Sequence, residues 1–252
     1  MGINPLVMFP KHFMLNYKNR GACKTLVGDV AFYFFTVNDP ESRWDEASLQ
    51  GFKSVCNMAI SCLERQASQY GARLKIKYAF DSVNTNEKVD FGNWKTIISS
   101  ALGKYSFKSV DEFQEFYEKK HGLDDSCIIL AFNKKLRGFA SVATEGYVDF
   151  GECCFVGKSQ VLFRHTSIVH EVLHQFGAKD YYYPEPLKES AKLHIGDSVM
   201  MTAGCERIDP LTAYLVGWTK EIDWASEYFL RVTSHYTQKD IDEAIRAEHR
   251  RK

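Results

Sequence analysis

The spacing of hydrophobic and polar positions predicts strands and helices that alternate through the first half of the chain. A run rich in valine, phenylalanine and tyrosine over Leu26–Val37 predicts a buried strand, which an Asn-Asp-Pro sequence ends. Apolar residues at helical spacing over Trp44–Tyr70 predict a long helix that Gly71 closes. Apolar and charged side chains alternate over Leu74–Phe80, which predicts a strand with one face in solvent.

The alternation continues towards the middle of the chain. Val110–Lys120 is predicted to be a helix with its aromatic residues on one side, and Cys127–Phe132 a short apolar strand. Tyr147–Val156 is also extended, but its charged residues and glycine favour a strand at the edge of the sheet. The C-terminal third is expected to be irregular, apart from a short helix over Leu211–Trp218. Strands alternating with helices predict an α/β fold with a largely parallel sheet. Since no linker or repeat divides the chain, residues 1–252 are predicted to form one domain.

Composition and charge exclude several classes of function. The 32 lysines and arginines balance 32 aspartates and glutamates, so net charge gives no reason to expect binding to nucleic acid or to an anionic membrane. No run of about 18 apolar residues is present, so no membrane span is expected. At 45% hydrophobic residues the chain can bury a substantial core. A globular protein with a proper core is therefore predicted.

The cysteines and the N-terminus bear on the cellular compartment. Seven cysteines, an odd number without any CxxC pair, are poor material for disulfides or a structural zinc site and favour a reducing compartment. The first ten residues lack the basic start and apolar centre of a signal peptide. A cytoplasmic location is expected; the alternatives are non-classical export or a leader missing from this sequence. The adjacent pair Cys153-Cys154 could suggest a cysteine protease, but no local signature supports that interpretation.

The segment from His170 to Asp180 has the spacing HExxHxxGxxD. Histidines four residues apart on a helix place both imidazoles on one face, one turn apart. Glu171 follows the first histidine and can reach a metal-associated water without binding the metal. Gly177 stands where helices often end in a left-handed residue, so the chain can turn and bring Asp180 back towards the histidines. His170, His174 and Asp180 are therefore predicted to hold one Zn²⁺.

Three protein ligands with one open position are typical of a catalytic zinc, whereas a structural zinc usually has four protein ligands. Zinc would make a water nucleophilic at neutral pH and polarise the substrate carbonyl. Glu171 would act as the general base and return the proton to the leaving amine. The sequence thus predicts a zinc-dependent endopeptidase acting on peptides or proteins.

The motif resembles that of the metzincin metallopeptidases, in the aspartate form found in the snapalysin-like branch. The resemblance implies a twisted, mostly parallel sheet with an antiparallel edge strand, a backing helix and an active-site helix in an upper subdomain, residues 1–177. A lower, irregular subdomain, residues 178–252, would contain the third ligand and a tight turn with a methionine beneath the metal. Ser198-Val199-Met200 is similar to that Met-turn, with Met201 the second choice.

The resemblance also implies a substrate-binding edge strand and assigns it to Tyr147–Val156. An extended peptide would pair with this strand by β-augmentation, which makes Asp149, Gly151 and Glu152 candidate substrate contacts. An edge strand without any ligand remains an equal alternative.

Other polar residues near the motif are also candidate ligands or catalytic groups. Some metzincins have a tyrosine two residues after the turn methionine, where this chain has Thr202. One residue of Tyr181-Tyr182-Tyr183 could stabilise the oxyanion instead, and the others would pack in the wall.

Further candidates lie on either side of the motif. His165 is expected to point away from the metal face. A later third ligand, Glu185, Glu189 or His194, is less favoured than Asp180 because Gly177 permits the nearer turn. Two alternative functions stay open: a zinc-binding interaction protein that does not cleave, and a zinc amidohydrolase for a non-protein substrate.

Overall fold

The computed structural model describes residues 8–9, 12–90, 94–141, 152–159 and 162–249. Five strands in this part of the chain are β1 (Gly28–Asn38), β2 (Leu74–Asn84), β3 (Asp125–Lys135), β4 (Phe139–Ser141) and β5 (Cys153–Lys158). They form one sheet in the order β2-β1-β3-β5-β4. The first four strands in that order run parallel, and β4 pairs with β5 antiparallel.

Helices cover both faces of this sheet. The described residues form α1 (Glu46–Gln69), α2 (Trp94–Gly103), α3 (Val110–His121), α4 (His165–Gln175), α5 (Glu185–His194), α6 (Pro210–Leu215), α7 (Trp224–Val232) and α8 (Gln238–His249). Residues of α1 and α4 share one buried cluster with the sheet, and residues of α2 and α3 share a second cluster. A sheet covered on both faces has central strands that are apolar throughout.

Strand β1 shows how the two clusters arise from one sequence. Phe32 and Phe34 belong to the cluster with α1, where Phe34 meets the ring of Phe52 edge-on at 6.0 Å. Phe35 and Val37 belong to the cluster with α2 and α3. Side chains on a strand alternate between faces, so this continuous run fills both cores.

The position of α4 depends on both its apolar and its polar residues. Ile168 and Leu173 are buried in the cluster that α4 shares with α1. At the helix end, the Gln175 amide donates to the carbonyl oxygens of Ser141 at 3.0 Å and Cys153 at 3.1 Å. Because these acceptors lie on β4 and β5, Gln175 holds the C-terminal end of α4 against the edge of the sheet.

The mixed α/β fold with a mostly parallel sheet and an antiparallel edge strand is confirmed, but the assignment of that edge strand is wrong. Cys153–Lys158 is an interior strand between β3 and β4, and its residues Cys153–Val156 are buried. At this end of the described sheet the edge strand is β4, and β2 forms the other edge. The rest of the predicted edge segment, residues 142–151, lies outside the described residues. The charge of Glu152 favours an edge position in the sequence, yet this residue is only 2% exposed. Its carboxylate accepts a hydrogen bond from the buried Cys23 amide.

The C-terminal third is more regular than expected. It contains α5, α7 and α8 in addition to α6, which covers most of the predicted short helix. Helix α2 was also not expected. Within the described residues, no helix combines the length and apolar character needed to cross a membrane.

Candidate metal centre

Helix α4 and the turn after it bring three donor atoms together. The Nε2 atoms of His170 and His174 lie 3.1 Å apart. Asp180 Oδ1 lies 3.1 Å from the first of these atoms and 3.2 Å from the second. Gly177, at φ +98°, makes the turn, and a Cβ there would lie 2.9 Å from the backbone oxygen of Tyr17. The positive φ and the close backbone together require glycine at this position.

Hydrogen bonds to backbone carbonyls determine which nitrogen of each imidazole has the lone pair that faces the cluster. His170 Nδ1 lies 2.9 Å from the carbonyl oxygen of Val199, and His174 Nδ1 lies 2.9 Å from that of Ala178. A carbonyl oxygen only accepts, so each Nδ1 holds a proton and donates it. In the neutral imidazole, Nε2 then presents its lone pair to the cluster. In metal sites of proteins, hydrogen bonds of this kind fix the tautomer and the orientation of the histidines.

The donor set fits a zinc ion. Two imidazole nitrogens and the buried Asp180 oxygen converge, and that oxygen has no well-formed hydrogen bond to any described residue. Three converging lone pairs repel one another unless positive charge lies between them. Ligand atoms about 2.0–2.1 Å from a tetrahedral zinc lie roughly 3.3 Å apart, which is close to the separations seen here. Two nitrogens and one oxygen are also a donor set that zinc accepts.

Electrostatics at the cluster agree with a requirement for positive charge. Burial by itself lowers the pKa of His170, but the contact with Asp180 outweighs it and raises the pKa to about 9. Burial also opposes ionisation of Asp180, yet the two histidines hold the pKa of its carboxyl well below the usual range. The side chains keep 17%, 15% and 22% exposure for His170, His174 and Asp180. Solvent or substrate can therefore reach the cluster from one side.

A second carboxylate, Glu171, lies beside the cluster. Its ligand atom and those of the two histidines all lie within 4.8 Å of one another, so a His-Glu-His set could also hold a metal. Asp180 Oδ1 lies within 3.2 Å of both nitrogens, so it is also placed as a possible third donor. Glu171 is 6% exposed, and burial raises its pKa against the opposing effect of the histidines. Such a carboxylate is a stronger base than an exposed one.

The wall against Glu171 comes from the segment between β3 and β4, which the sequence gave no reason to single out. A Cβ on Gly138 would lie 2.5 Å from Glu171 Oε1 and 3.0 Å from its Cδ. Only a glycine leaves room for the carboxylate in its present position. Arg137, the preceding residue, lines the same space. No local motif marks this glycine, because its neighbour is 33 positions away in the sequence.

Of the three consecutive tyrosines, Tyr182 is the one beside the cluster. Its ring stacks on His170 with 6.3 Å between centroids, and its hydroxyl lies 3.5 Å from the Arg137 guanidinium. Burial, followed by the charge of Asp180, raises its pKa above the usual value, so the hydroxyl stays protonated. Tyr181 is fully buried and bonds Thr212 at 2.9 Å. Tyr183 meets the Tyr182 ring edge-on at 5.0 Å.

A tight turn over residues 198–202 lies under His170. The amide of Thr202 donates to the Ser198 carbonyl at 2.8 Å, and Met200 within the turn is fully buried. The turn provides the Val199 carbonyl for His170, and the Met200 carbonyl accepts from the Tyr181 amide at 3.1 Å. It thus supports one histidine and the chain just after Asp180. Met201 lines the larger cavity described below, and Thr202 is exposed.

The remaining candidates lie away from the cluster. Glu152 accepts from the Cys23 amide at 2.6 Å, so it has a structural contact rather than an exposed edge; Asp149 and Gly151 lie outside the described residues. His165 lies 2.8 Å from Glu206. The candidates on α5 contact their own neighbours: Glu185 pairs with Lys188, Glu189 with Lys192, and His194 packs on Tyr228.

Two cavities flank the cluster. The larger, about 540 Å³, is bounded by residues 135–138, the end of β5, the start of α4 and the 198–202 turn. The smaller, about 320 Å³, is bounded by β4, residues 178–180 and α8. Both reach His170, Glu171 and Tyr182. A ligand that fills both cavities would therefore pass directly over the cluster.

Comparison with known proteins gives little support beyond this geometry. No family model matches the chain, and no curated protein matches it. Among solved structures, one described as a chaperone–substrate complex is 14% identical with a TM-score of 0.42, over 83% of this chain and 34% of that one. A metalloproteinase-II from Bacteroides fragilis is 13% identical with a TM-score of 0.34, over 77% of this chain and 54% of that one. The chain thus spans about a third and about half of their lengths, and both likenesses are weak.

Proposed function

We propose that this protein is a zinc-dependent endopeptidase. The observation that supports it best is the convergence of His170 Nε2, His174 Nε2 and Asp180 Oδ1 within 3.2 Å, with both Nδ1 atoms bonded to backbone carbonyls. The metzincin-like motif and the turn over residues 198–202, which would be the Met-turn with Met200, agree with this proposal. Bound zinc would supply Lewis acidity to a water and to the substrate carbonyl.

The side chains around the cluster divide the remaining chemistry. Glu171 takes a proton from the attacking water at its carboxylate and returns it to the leaving amine. Tyr182 donates its hydroxyl proton in a hydrogen bond to the oxygen on which negative charge develops. Its ring stacks on His170 and it lines both cavities, so the residue lies beside the reacting centre. No covalent bond forms between protein and substrate in this scheme.

The edge strand and the cavities favour a peptide over a compact substrate. Strand β4 pairs with β5 on one side and is the last strand of the described sheet, and in this proposal an extended chain binds along its other edge. It follows Gly138, which contacts Glu171. A peptide paired with β4 would thus lie beside the base and extend into the cavities. In this proposal the role first assigned to Tyr147–Val156 passes to Phe139–Ser141.

Cleavage of an unbiased peptide library tests the proposal. Purified protein with one zinc per chain is incubated with the library, and new termini are identified by mass spectrometry, with and without a zinc chelator. We expect new termini that disappear with the chelator and return with added zinc. Stoichiometric zinc without any cleavage would instead favour a non-cleaving zinc-binding protein.

Gly138→Ala is expected to reduce catalysis without removing the metal. The added methyl group would overlap Glu171 Oε1 at 2.5 Å, so the carboxylate must move from the position in which it meets water. A misplacement of about 1 Å can cost about 100-fold in rate. We expect kcat to fall by 10-fold or more while zinc content, measured by elemental analysis, stays at one per chain.

Gly51→Ala is the matched control, because a Cβ at this position in α1 meets nothing within 4 Å. It should leave kcat unchanged. Full activity of the Gly138→Ala protein would show that Glu171 does not depend on this wall.

Tyr182→Phe is expected to lower kcat with little change in KM. The hydroxyl bonds the substrate oxygen more strongly as charge develops, and loss of one such donor costs about 100- to 1,000-fold. Tyr183→Phe provides the control, since this neighbouring ring contacts Tyr182 and not the histidines. Equal kcat values for the two variants would remove Tyr182 from the mechanism.

A further inference from the structure

We propose that the larger cavity selects peptides with an anionic side chain next to the scissile bond, and that Lys135 and Lys158 determine this preference. The anion is the carboxylate of an acidic residue or the phosphate of a phosphorylated one. This inference rests on the proposed peptidase function and specifies its substrate class.

The two lysines face each other across neighbouring strands. Lys135 and Lys158 are Cα partners in the pairing of β3 with β5, just after a register shift between Phe132 and Lys135. Strands β3 and β5 run parallel, and like charges held at neighbouring positions on such strands repel each other. Both residues line the larger cavity. An anion placed between them would relieve the repulsion that the free protein retains.

The lining of the larger cavity is strongly cationic. Lys135, Arg137 and Lys158 line it, and Glu171 is the sole carboxylate among the described residues around it. Neither lysine has an ion pair with a described residue. Lys134, the next residue along, differs because it pairs with the buried Asp39 at 2.6 Å. The ion pair with Asp39 thus neutralises Lys134, whereas Lys135 and Lys158 face the cavity.

One acidic group lies near enough to Lys158 to sense its charge. Lys158 contributes to lowering the pKa of Asp45, but the bonds that Asp45 accepts from the Ser48 hydroxyl and amide contribute more. That carboxylate caps α1 through Ser48 and does not line the cavity. Asp45 therefore offsets part of the charge of Lys158. Because it does not line the cavity, it does not remove the expected preference for an anion there.

The start of α4 adds to the positive potential. Thr166 and Ser167, in its first turn, line the cavity, and the N-cap Arg164 makes no side-chain capping bond. The Ser167 amide donates to the Arg164 carbonyl at 3.1 Å, so the contribution of this helix end is that of the helix dipole, whose N-terminus has partial positive charge. The helix end and the lysines therefore act in the same direction on a side chain in this cavity.

The two cavities differ in character, so the preference is expected on one side of the bond only. Phe139, Ile241 and Ile245 line the smaller cavity. Arg137 lines both cavities, so the difference in charge comes from the lysines. Among the described residues Lys179 is the one lysine of the smaller cavity, and its amine lies over the ring of Tyr17 at 3.0 Å. We therefore expect an apolar preference on that side and an anionic preference on the side of Lys135.

Matched fluorogenic peptides test the proposal. The set varies one position at a time around the cleaved bond among glutamate, phosphoserine, glutamine and lysine. We expect glutamate to exceed glutamine in kcat/KM by about 10-fold at one position on one side of the bond, and the preference to weaken as salt is raised. The phosphoserine arm shows which of the two anions fits better. Equal rates for glutamate, phosphoserine and glutamine at all positions overturn the proposal.

Charge reversal identifies the residues responsible. The double variant Lys135→Glu/Lys158→Glu should lose the preference for glutamate and favour lysine, whereas Lys75→Glu/Lys77→Glu, exposed on β2 at the opposite edge of the sheet, should leave it unchanged. The single variants Lys135→Glu and Lys158→Glu give the same answer if the double variant does not fold. A preference that survives reversal overturns the assignment to these lysines.

The outcomes also separate this inference from the function on which it rests. Cleavage without an anionic preference removes the inference and leaves the peptidase intact. A zinc-loaded protein that cleaves nothing removes both.

Discussion

Glu171→Gln is expected to lower kcat/KM for peptide cleavage by about 100- to 10,000-fold, the usual contribution of a general base. Glutamine has almost the same shape but cannot accept and return a proton. The side chain is 6% exposed and lies close to both histidines, so no water in bulk solvent can replace its role efficiently. Because Asp180 and not Glu171 lies within 3.2 Å of both imidazole nitrogens, zinc content should stay at one per chain.

Steady-state kinetics on a cleaved library peptide, together with elemental analysis of the same preparation, measures both expectations. Glu189→Gln is a suitable control, since this residue is exposed on α5 and pairs only with Lys192 in the described structure. A Glu171→Gln protein with normal turnover would exclude Glu171 as the base. A Glu171→Gln protein that has lost its zinc would instead indicate that the His-Glu-His set is the ligand set.

Asp180→Ala is expected to weaken zinc binding by more than about 100-fold. Loss of a residue that only orients a metal ligand costs about 10- to 100-fold in affinity, and loss of a ligand itself should cost more. The substitution removes one of three protein ligands and leaves the two histidines with open coordination positions. Activity should fall with the metal content and recover in part at high zinc concentration. The much smaller effect of Glu171→Gln on zinc content is the internal comparison.

Competition with a chromophoric chelator measures the dissociation constant of each variant. Asp180→Asn keeps the volume of this partly buried side chain and distinguishes loss of a ligand from loss of folding, which circular dichroism checks in parallel. Equal zinc affinity in wild type, Asp180→Ala and Asp180→Asn would show that the third ligand lies elsewhere.

The strongest predictions from sequence concern residues that are close together in the chain. His170, Glu171 and His174 lie within five residues on one helix, and the helical repeat alone brings the imidazoles to one face. Gly177 likewise predicts its own turn, because few other residues adopt a positive φ. The alternation of strands and helices predicted the α/β fold for the same reason, since the periodicity of each element is visible over a few consecutive residues.

Predictions failed where the partner is distant in the chain. The charge of Glu152 led to the prediction of an edge strand. Its hydrogen-bond partner, the buried Cys23 amide, is 129 positions away, so no local sequence pattern could indicate it. The adjacent strand β5 is buried by β3 and β4, so charge in the preceding loop says nothing about its place in the sheet. Helix α2 and the C-terminal helices were not predicted either, but here a local signal was present: in α8, for example, Ile241 and Ile245 recur at helical spacing and pack on the core.

By itself, the sequence determined the fold class and the ligand-type spacing of the motif, because helical periodicity, strand alternation and glycine turns act over a few residues. Only the tertiary structure decided which strand forms the edge, which tyrosine faces the cluster and which glycine makes room for Glu171. It also brought Lys135 opposite Lys158. These features depend on contacts between segments tens of residues apart, whose free energy comes from packing the whole core rather than from any local preference.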